Sequence, residues 1–524
     1  MKEPIQCPLC GQSPEGKIRD HLLTVHGEEE LSRAVISDKE KGLSDVEIGR
    51  RYGLSFGALQ RMITRACGAN IGDLRPAARI RRWQPSDFRL ETTTVWSFKE
   101  RGRWATHDGR YRGNWSPYIP RNIILRYSRP GDLILDYFVG GGTTAVEAKL
   151  LGRRCIARDI NPAAVSLTRR NLGFSPPAPI TGEEIYEPMV EVGDARDLSG
   201  ISDNSVDLIC AHPPYARIIR YSSGLPGDLS ALTVPEFLQE MRKVARESLR
   251  VLKPGGKCAI LVGDARQSKR VVPVGFMVIR VFLDVGFRLK ELIIKRQHNC
   301  RATGFWYSRS VQYNFLLLAH EYLPVFEKPA GSGVQEQLSL WEASMSCRTV
   351  QGAVWPAREE PLEAMTVWVF PLARMEEEVR RNLFQRFAEG AGELVEIHLT
   401  GGGGISEAAP LSVGPANLWW IRLPEEMDEA IFAGCRRCIG DLLRQAILRL
   451  PPDGYLVIEA KDFRSPRGDL VPAALLLWED LGRERHLALK EIVIVVPEET
   501  PPVSGGNHLA VIHKYLLIYV RESV

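Results

Sequence analysis

The chain has 524 residues, 44% hydrophobic and 25% charged, with a formal charge of +4 at pH 7. That length exceeds a single core and implies three or four units at roughly 150 residues each. There is no apolar run of about 18 residues and no basic-then-apolar leader, so neither a membrane span nor a signal peptide is expected and the reading is cytoplasmic. The ten cysteines stand singly except for Cys7/Cys10 and Cys435/Cys438. This spacing argues for reduced thiols rather than a disulfide framework.

At the amino terminus "CPLCGQSPEGKIRDHLLTVH" sets Cys7, Cys10, His21 and His26 in the pattern C-x2-C-x10-H-x4-H. Two cysteines on a turn and two histidines about one helical turn apart can close a tetrahedral shell around structural zinc, which a segment with so few apolar residues needs in order to fold. The pattern resembles a C2H2 zinc finger, assigned to residues 1–30, with a slightly short loop between the pairs. From Leu43 to Gly68, Ile48, Tyr52, Leu54, Leu59, Met62 and Ile63 recur at helical spacing around "YGLS". Ser44 and Ser55 are placed as N-caps and Gly53 as the C-cap turn. This resembles a helix-turn-helix within residues 31–90, whose second helix would present Gln60, Arg61, Thr64 and Arg65 to phosphates and base edges. An ordinary helical hairpin with a solvated face accounts for the same spacing. Between Arg61 and Arg112 twelve Lys/Arg stand against five Asp/Glu, a phosphate-facing stripe.

From Asp132 the chain reads "DLILDYFVGGGTTAVEAKLLGRRCIARDINPAAV". A strand at Leu133 to Leu135 breaks into three glycines, a helix follows, and a second strand at Cys155 to Ala157 ends on Asp159. This βαβ unit puts a glycine turn where open α/β sheets bind ligands, with an acid placed to accept two ribose hydroxyls. "DYFVGGGTT" resembles the D-x-F-x-G-x-G-T-T signature of the amino-methyltransferases of nucleic acid, which bind S-adenosylmethionine. The resemblance implies cofactor contacts from Asp136, Phe138, Gly140, Gly142, Thr143, Thr144 and Asp159, and from Asp194 in "EVGDARDL" beside the adenine. It also implies that an upstream segment closes over the methionine end, with Trp115, Ser116, Pro117, Tyr118 and Asn122 as contacts. For Trp115 and Tyr118 a packed aromatic role fits equally well.

"AHPPY" occupies the place of the (D/N/S)-P-P-(Y/F) motif of that family. An exocyclic base amine is a poor nucleophile because its lone pair is delocalised into the ring, so the enzyme must hold the NH2 with acceptors that favour a tetrahedral nitrogen. The side chain of His212 and the carbonyl of Pro213 can be those acceptors, and Pro213 and Pro214 fix φ so that the corner stays aimed. Tyr215 can stack on a flipped base. His212 departs from the family pattern and must be neutral to accept. The resemblance implies cytosine N4 ahead of adenine N6. No Pro-Cys dipeptide occurs, which weighs against a cysteine-dependent carbon-5 enzyme.

The resemblance covers residues 91–327, a Rossmann-like α/β methyltransferase sheet. A polar linker is expected over 328–360, and residues 361–524 repeat the first copy. "LKPGGKCAILVGDAR" from Leu252 aligns with "LPPDGYLVIEAKDFR" from Leu450 at an offset of 198, "KELII" from Lys290 with "KEIVI" from Lys490, and "HEYL" from His320 with "HKYL" from His513. "TTVWSF" likewise echoes "MTVWVF". The second copy lacks HPPY and a clean glycine turn, so a degenerate methyltransferase-like α/β domain is expected, and Cys435/Cys438 are expected to be core thiols. The expected partner is double-stranded DNA in a restriction-modification setting with a cognate endonuclease, the chain acting as a monomer or pseudo-dimer. RNA amine methylation and a non-catalytic DNA-binding scaffold are the alternatives.

Overall fold

The computed structural model describes residues 6–14, 16–40, 43, 45–55, 58–59, 62, 80–109, 111, 113–176, 184–215, 225–298, 309–310, 312–331, 345–351, 362–388, 394–401, 416–499 and 508–522. Ser44, Gln60, Arg61, Ile63, Thr64 and Arg65 lie outside them, as does much of the basic stripe.

Helix α1 (Ile18–His21) continues into a π-helical turn (Leu22–His26) and then α2 (Gly27–Glu40), followed by α3 (Asp45–Arg51). Gly53 ends α3 with φ +63°, and a Cβ there would sit 2.4 Å from Ile18 Cγ2. Ser55 Oγ accepts from the Ala58 N–H at 3.3 Å. Cys7, Ile18, Leu22, Leu31, Val35, Ile48, Tyr52 and Leu59 share one small core. The cysteine/histidine segment and the helical hairpin therefore form one packing unit rather than two modules, because neither has enough apolar residues to bury a face alone.

The first lobe is built on an eight-stranded sheet. Its strands are β1 (Val95–Ser97), β2 (Leu133–Asp136), β3 (Arg154–Asp159), β4 (Met189–Val192), β5 (Val206–Ala211), β6 (Leu252–Ile260), β9 (Arg288–Arg296) and β10 (His320–Glu327), with β7 (Ala265–Gln267) and β8 (Arg270–Val272) in a separate hairpin. The order is β1-β9-β10-β6-β5-β2-β3-β4, parallel except for β10, which runs antiparallel between β9 and β6. Helices α4 (Tyr118–Tyr127), α5 (Thr143–Leu150), α6 (Pro162–Asn171), α7 (Val234–Val251) and α8 (Val274–Val285) cover it. The chain reverses strand order between β2 and β5, the crevice where open α/β sheets receive ligands.

The second sheet contains β11 (Met345–Gln351), β12 (Val367–Phe370), β13 (Leu394–Gly401), β14 (Leu418–Arg422), β15 (Tyr455–Ala460), β18 (Leu487–Pro497) and β19 (Lys514–Arg521), with β16 (Phe463–Arg464) and β17 (Leu470–Val471) forming a hairpin. It is flanked by α9 (Met375–Phe387), α10 (Glu429–Arg449) and α11 (Ala473–Leu481). From the other edge, its order β12-β18-β19-β15-β14-β13 repeats β1-β9-β10-β6-β5-β2 of the first sheet, while β11 at the far edge has no counterpart there. The expected linker of residues 328–360 instead contributes β11, paired antiparallel with β13. The β-branched and sulfur-containing residues of "MSCRTVQ" suit an edge strand despite their polarity.

The lobes meet in reciprocal pairs. Arg266 grips Glu491 at 3.0 and 2.5 Å, and the corresponding Arg464 grips Glu291 at 2.5 Å. The Leu316 N–H donates to Glu491 and the Leu509 N–H to Glu291, at 3.1 and 3.2 Å. Thr94 Oγ1 and His513 Nδ1 are 2.9 Å apart, as are Thr366 Oγ1 and His320 Nδ1. A hydrophobic core continues from one lobe to the other, with Phe276 against Trp478 and Tyr515.

Candidate active site

Strand β2 delivers Asp136 into a wholly buried position, where its Oδ1 accepts the Phe138 N–H at 3.0 Å. Burial pushes its carboxyl up to about 7, against hydrogen bonds from Thr144 and the Phe138 N–H. Gly140 (φ +51°) and Gly142 (φ +87°) turn the chain into α5. A Cβ on Gly140 would press to 2.9 Å from Tyr111, and one on Gly142 to 3.0 Å from Thr168, so both the conformation and the space require glycine. Asp159, at the end of β3, accepts the Gly140 N–H on Oδ2 and the Asn161 N–H on Oδ1, each at 2.9 Å. Burial raises its carboxyl to about 6, the two N–H groups pulling the other way.

These residues open onto a cleft of about 790 Å³, counting space continuous with solvent, lined by Trp115, Phe138, Gly140, Asp159, Asp194, His212 and Pro214 among others. The cleft suits S-adenosylmethionine: a glycine cradle admits close backbone approach, and each Asp159 oxygen keeps a lone pair for a ribose hydroxyl. Asp194 lies across the cleft, gripped by the Arg196 fork at 2.9 and 2.6 Å, which holds it below the usual carboxylate range despite burial.

The other expected contacts are engaged elsewhere. Thr143 Oγ1 donates to Asn114 Oδ1 at 2.5 Å, and Thr144 Oγ1 to the Cys210 carbonyl at 3.4 Å. Ser116 Oγ bonds the Arg101 carbonyl at 2.8 Å. Asn122 Oδ1 accepts from the Glu91 N–H and its amide donates to the Tyr118 carbonyl, both at 2.8 Å. Tyr118 stacks on Phe98 at 5.1 Å. Ser116, before α4, and Tyr118 and Asn122, on it, are not among the residues lining the cleft. Sequence reasoning did not single out Tyr111, Asn114 or Asp228, which line the cleft from loops.

His212 follows β5 and is partly exposed to the cleft, stacked on Trp115 at 5.5 Å. Its Nε2 lies 2.8 Å from the Tyr215 hydroxyl, which donates to Glu321 Oε1 at 2.9 Å. Lys295 Nζ holds Glu321 Oε2 at 2.8 Å. Burial, with help from Lys295 and Arg101 and against Glu321, pushes the imidazole down to about 4, so the ring is neutral near pH 7. Pro213 is buried behind the corner. Tyr215 is tied by its hydroxyl rather than held only by its ring.

In the second lobe, Ile421 pairs with Ile458 as Ala211 pairs with Ile260, so Arg422 takes the place of His212. Arg422 reaches Glu396 at 2.9 Å and Glu459 at 3.3 Å, and Arg380 also holds Glu396. Lys514 follows His513 as Glu321 follows His320, and bonds Glu459 at 3.0 Å. Ion pairs cross the strand ends that in the first lobe border a cleft. Cys435 is buried and Cys438 partly so, on one face of α10.

At the amino terminus, Cys7 Sγ lies 3.6 Å from His26 Nε2 and Cys10 Sγ 3.4 Å from His21 Nε2, and all four donor atoms fall within 4.8 Å of one another. Those spacings fit the edges of a tetrahedron about zinc, and the donor set suits that metal. The π-helical turn brings together histidines five residues apart, which an α-helix would splay by about 140°.

The sequence of residues 74–170, carrying the glycine turn and Asp159, matches the family model for DNA methylases of the N6/N4 type. A tRNA (guanine(10)-N2)-dimethyltransferase of Methanothermobacter thermautotrophicus is 36% identical over 129 residues, 24% of this chain and 34% of that protein. The type II methyltransferase M2.DpnII of Streptococcus pneumoniae is 41% identical over 70 residues, 13% and 25% of the two chains. This chain thus spans about a third or less of the length of these relatives. A solved S-adenosylmethionine-dependent methyltransferase of Methanosarcina mazei is similar at a TM-score of 0.28 and 18% identity, over 40% of this chain and 98% of that one. The family match falls on the first lobe, across β1, α4, β2, α5 and β3. Among the described residues, no helix is long and apolar enough to cross a membrane.

Proposed function

We propose that the protein methylates an exocyclic amine of a nucleic-acid base at the His212–Tyr215 corner, with double-stranded DNA as substrate and cytosine N4 ahead of adenine N6. The observation that carries this reading is the placement of His212 and Pro214 on the same cleft as the Gly140 turn and Asp159. S-adenosylmethionine would supply a methyl group on a sulfonium, and Asp159 and the glycine cradle would hold its nucleoside. The neutral His212 ring and the Pro213 carbonyl accept from the amine and favour a tetrahedral nitrogen for in-line attack. Charge then grows on that nitrogen, so acceptors preorganised in a water-poor cleft favour the transition state more than the ground state. Trp115 closes one side of the corner.

The amino-terminal unit, with zinc held by Cys7, Cys10, His21 and His26, and the helix-turn-helix that follows are read as the DNA-gripping part. The second lobe is read as a degenerate copy of the first. Similarity to a tRNA guanine-N2 dimethyltransferase favours a second reading, amine methylation on structured RNA by the same corner. The discriminating experiment incubates the protein with labelled S-adenosylmethionine and duplex DNA or tRNA, then digests to nucleosides. Label in N4-methyl-2′-deoxycytidine from DNA is expected. Label only in an RNA nucleoside selects the second reading, and no label in either polymer removes the assignment.

A further inference from the structure

Strands β1 and β9 run parallel to β2 and β5, so their carboxyl ends lie on the side of the sheet that carries the glycine turn and the HPPY corner. Ser97 and Arg296 are register partners at that end. Just beyond them, Ser97 Oγ and His298 Nε2 are 2.8 Å apart, and Lys99 is exposed. Burial first, then Arg296, Lys295 and Lys99, hold the His298 imidazole below its usual range, so three cations act on one ring. Lys295 also donates to Glu321, which accepts from Tyr215, and this ties the group to the corner through two hydrogen bonds.

Arg296 is half-buried, and among the described residues its guanidinium has no hydrogen bond or ion pair. Glu363, the acid that acts on it, also faces Arg386 and Arg381, and Glu100, which follows Lys99, acts on Tyr118. A cation drawn partly out of water without a paired carboxylate costs stability, and cations gathered around it add to that cost. Only the first lobe keeps this arrangement. The equivalent parallel pair of the second sheet sets Val369 beside Val496. The offsets that relate the copies replace Lys99 by Pro371, Lys295 by Val495 and His298 by Glu498. The buried steps Val95–Trp96 and Val367–Trp368 are nevertheless the same, so the strand pair itself does not require the cations. They are present only in the copy that carries the HPPY corner.

We propose that Ser97, Lys99, Arg296 and His298 form a subsite for a backbone phosphate of the substrate DNA strand, beside the nucleotide that enters the corner; this rests on the proposed nucleic-acid substrate. Charge from Lys99 and Arg296, with the hydroxyl and ring of Ser97 and His298, is the mixture of groups that positions a strand without reading its sequence. A bound phosphate would supply the anion that the half-buried guanidinium lacks.

The test follows binding of full-length protein to a short fluorescein-labelled duplex of mixed sequence, by anisotropy over a range of salt. Each lost phosphate contact removes about one unit from the slope of log Kd against log salt. Arg296→Gln and Lys99→Gln should each weaken binding by about three- to tenfold and flatten the slope by about one, and the double variant by about two. Arg296→Lys should recover most of the loss, because a phosphate accepts a point charge, whereas a merely structural guanidinium would leave the slope unmoved. Kd for S-adenosylmethionine should stay within about twofold throughout. Arg485→Gln, at an exposed cation of the second lobe, controls for loss of charge alone. Slopes and affinities no different from those of Arg485→Gln overturn the subsite, as does an unaltered protein that leaves the duplex unbound. Slope changes on tRNA but not on the duplex overturn the DNA assignment. If the duplex slope responds as expected while no label from S-adenosylmethionine reaches either polymer, the subsite stands and the amine-methylation reading falls.

Discussion

Arg280 on α8 and Glu479 on α11 hold one another across the two lobes, Nε to Oε1 at 2.5 Å, and are 199 positions apart. That spacing is nearly the offset relating the copies, so the two residues are counterparts meeting at the pseudo-twofold axis. In a symmetric dimer an axial residue faces its own kind, and a charge there would repel itself. The pair is partly exposed, so Glu479→Arg should lower stability by about 1 kcal/mol, and the exchanged pair Arg280→Glu/Glu479→Arg should recover most of it. Urea unfolding of the four proteins of the cycle checks this.

The reciprocal grips at the seam are more deeply buried, with Glu491 and Glu291 wholly enclosed. Removing Arg464 or Arg266 leaves a carboxylate without its cation, so Arg464→Ala and Arg266→Ala should each cost about 3–5 kcal/mol in denaturant unfolding. The two losses should be of similar size, since the pairs are equivalent.

Cofactor affinity should depend on pH through Asp159. The fold binds this proton more tightly than the unfolded chain does, the carboxyl being raised to about 6 by burial. Its contribution to stability is therefore present in acid and fades as pH rises through about 6, while affinity moves the opposite way, because the ionised group accepts both ribose hydroxyls. Titration calorimetry with S-adenosylmethionine should show Kd weakening about tenfold per pH unit below that point. Asp159→Asn should bind weakly with no such dependence.

The same titration should give a stoichiometry of one per chain. In the second lobe Arg422, Arg380 and Lys514 lock Glu396 and Glu459 across the strand ends. A binding ratio of two would contradict this closure.

Purified protein should contain one zinc per chain by atomic emission. Cys10→Ser and His26→Ala should each lose it, and chelation should unfold the amino-terminal unit, because its small core is shared by Cys7 and the helices behind it. Cofactor binding by the first lobe should persist after chelation.

Much of this site is written in short contiguous signals. The glycine turn, Asp159 and the HPPY corner could be read because each is fixed by the backbone of a single βα junction. The repeat was legible at β6, β9 and β10, where buried strands constrain residue type. Glu321 escaped notice because it reaches the corner from a later strand, and nothing within "HEYL" marks the inward side chain. The resemblance puts Ser116, Tyr118 and Asn122 at the cleft, whereas Ser116 bonds the Arg101 carbonyl before α4 begins and Tyr118 and Asn122 pack against neighbours of that helix. The strand β11 was taken for linker because an edge strand needs little hydrophobicity.

His320 and Glu321 are neighbours on β10, and successive side chains of a strand point to opposite faces. One fastens the seam through Thr366, and the other holds the tyrosine of the corner. A single peptide unit thus joins the second lobe to the corner of the first, like the two ends of a short lever. Thr366, though far along the chain from the corner, is therefore one strand residue away from Glu321 through its bond to His320.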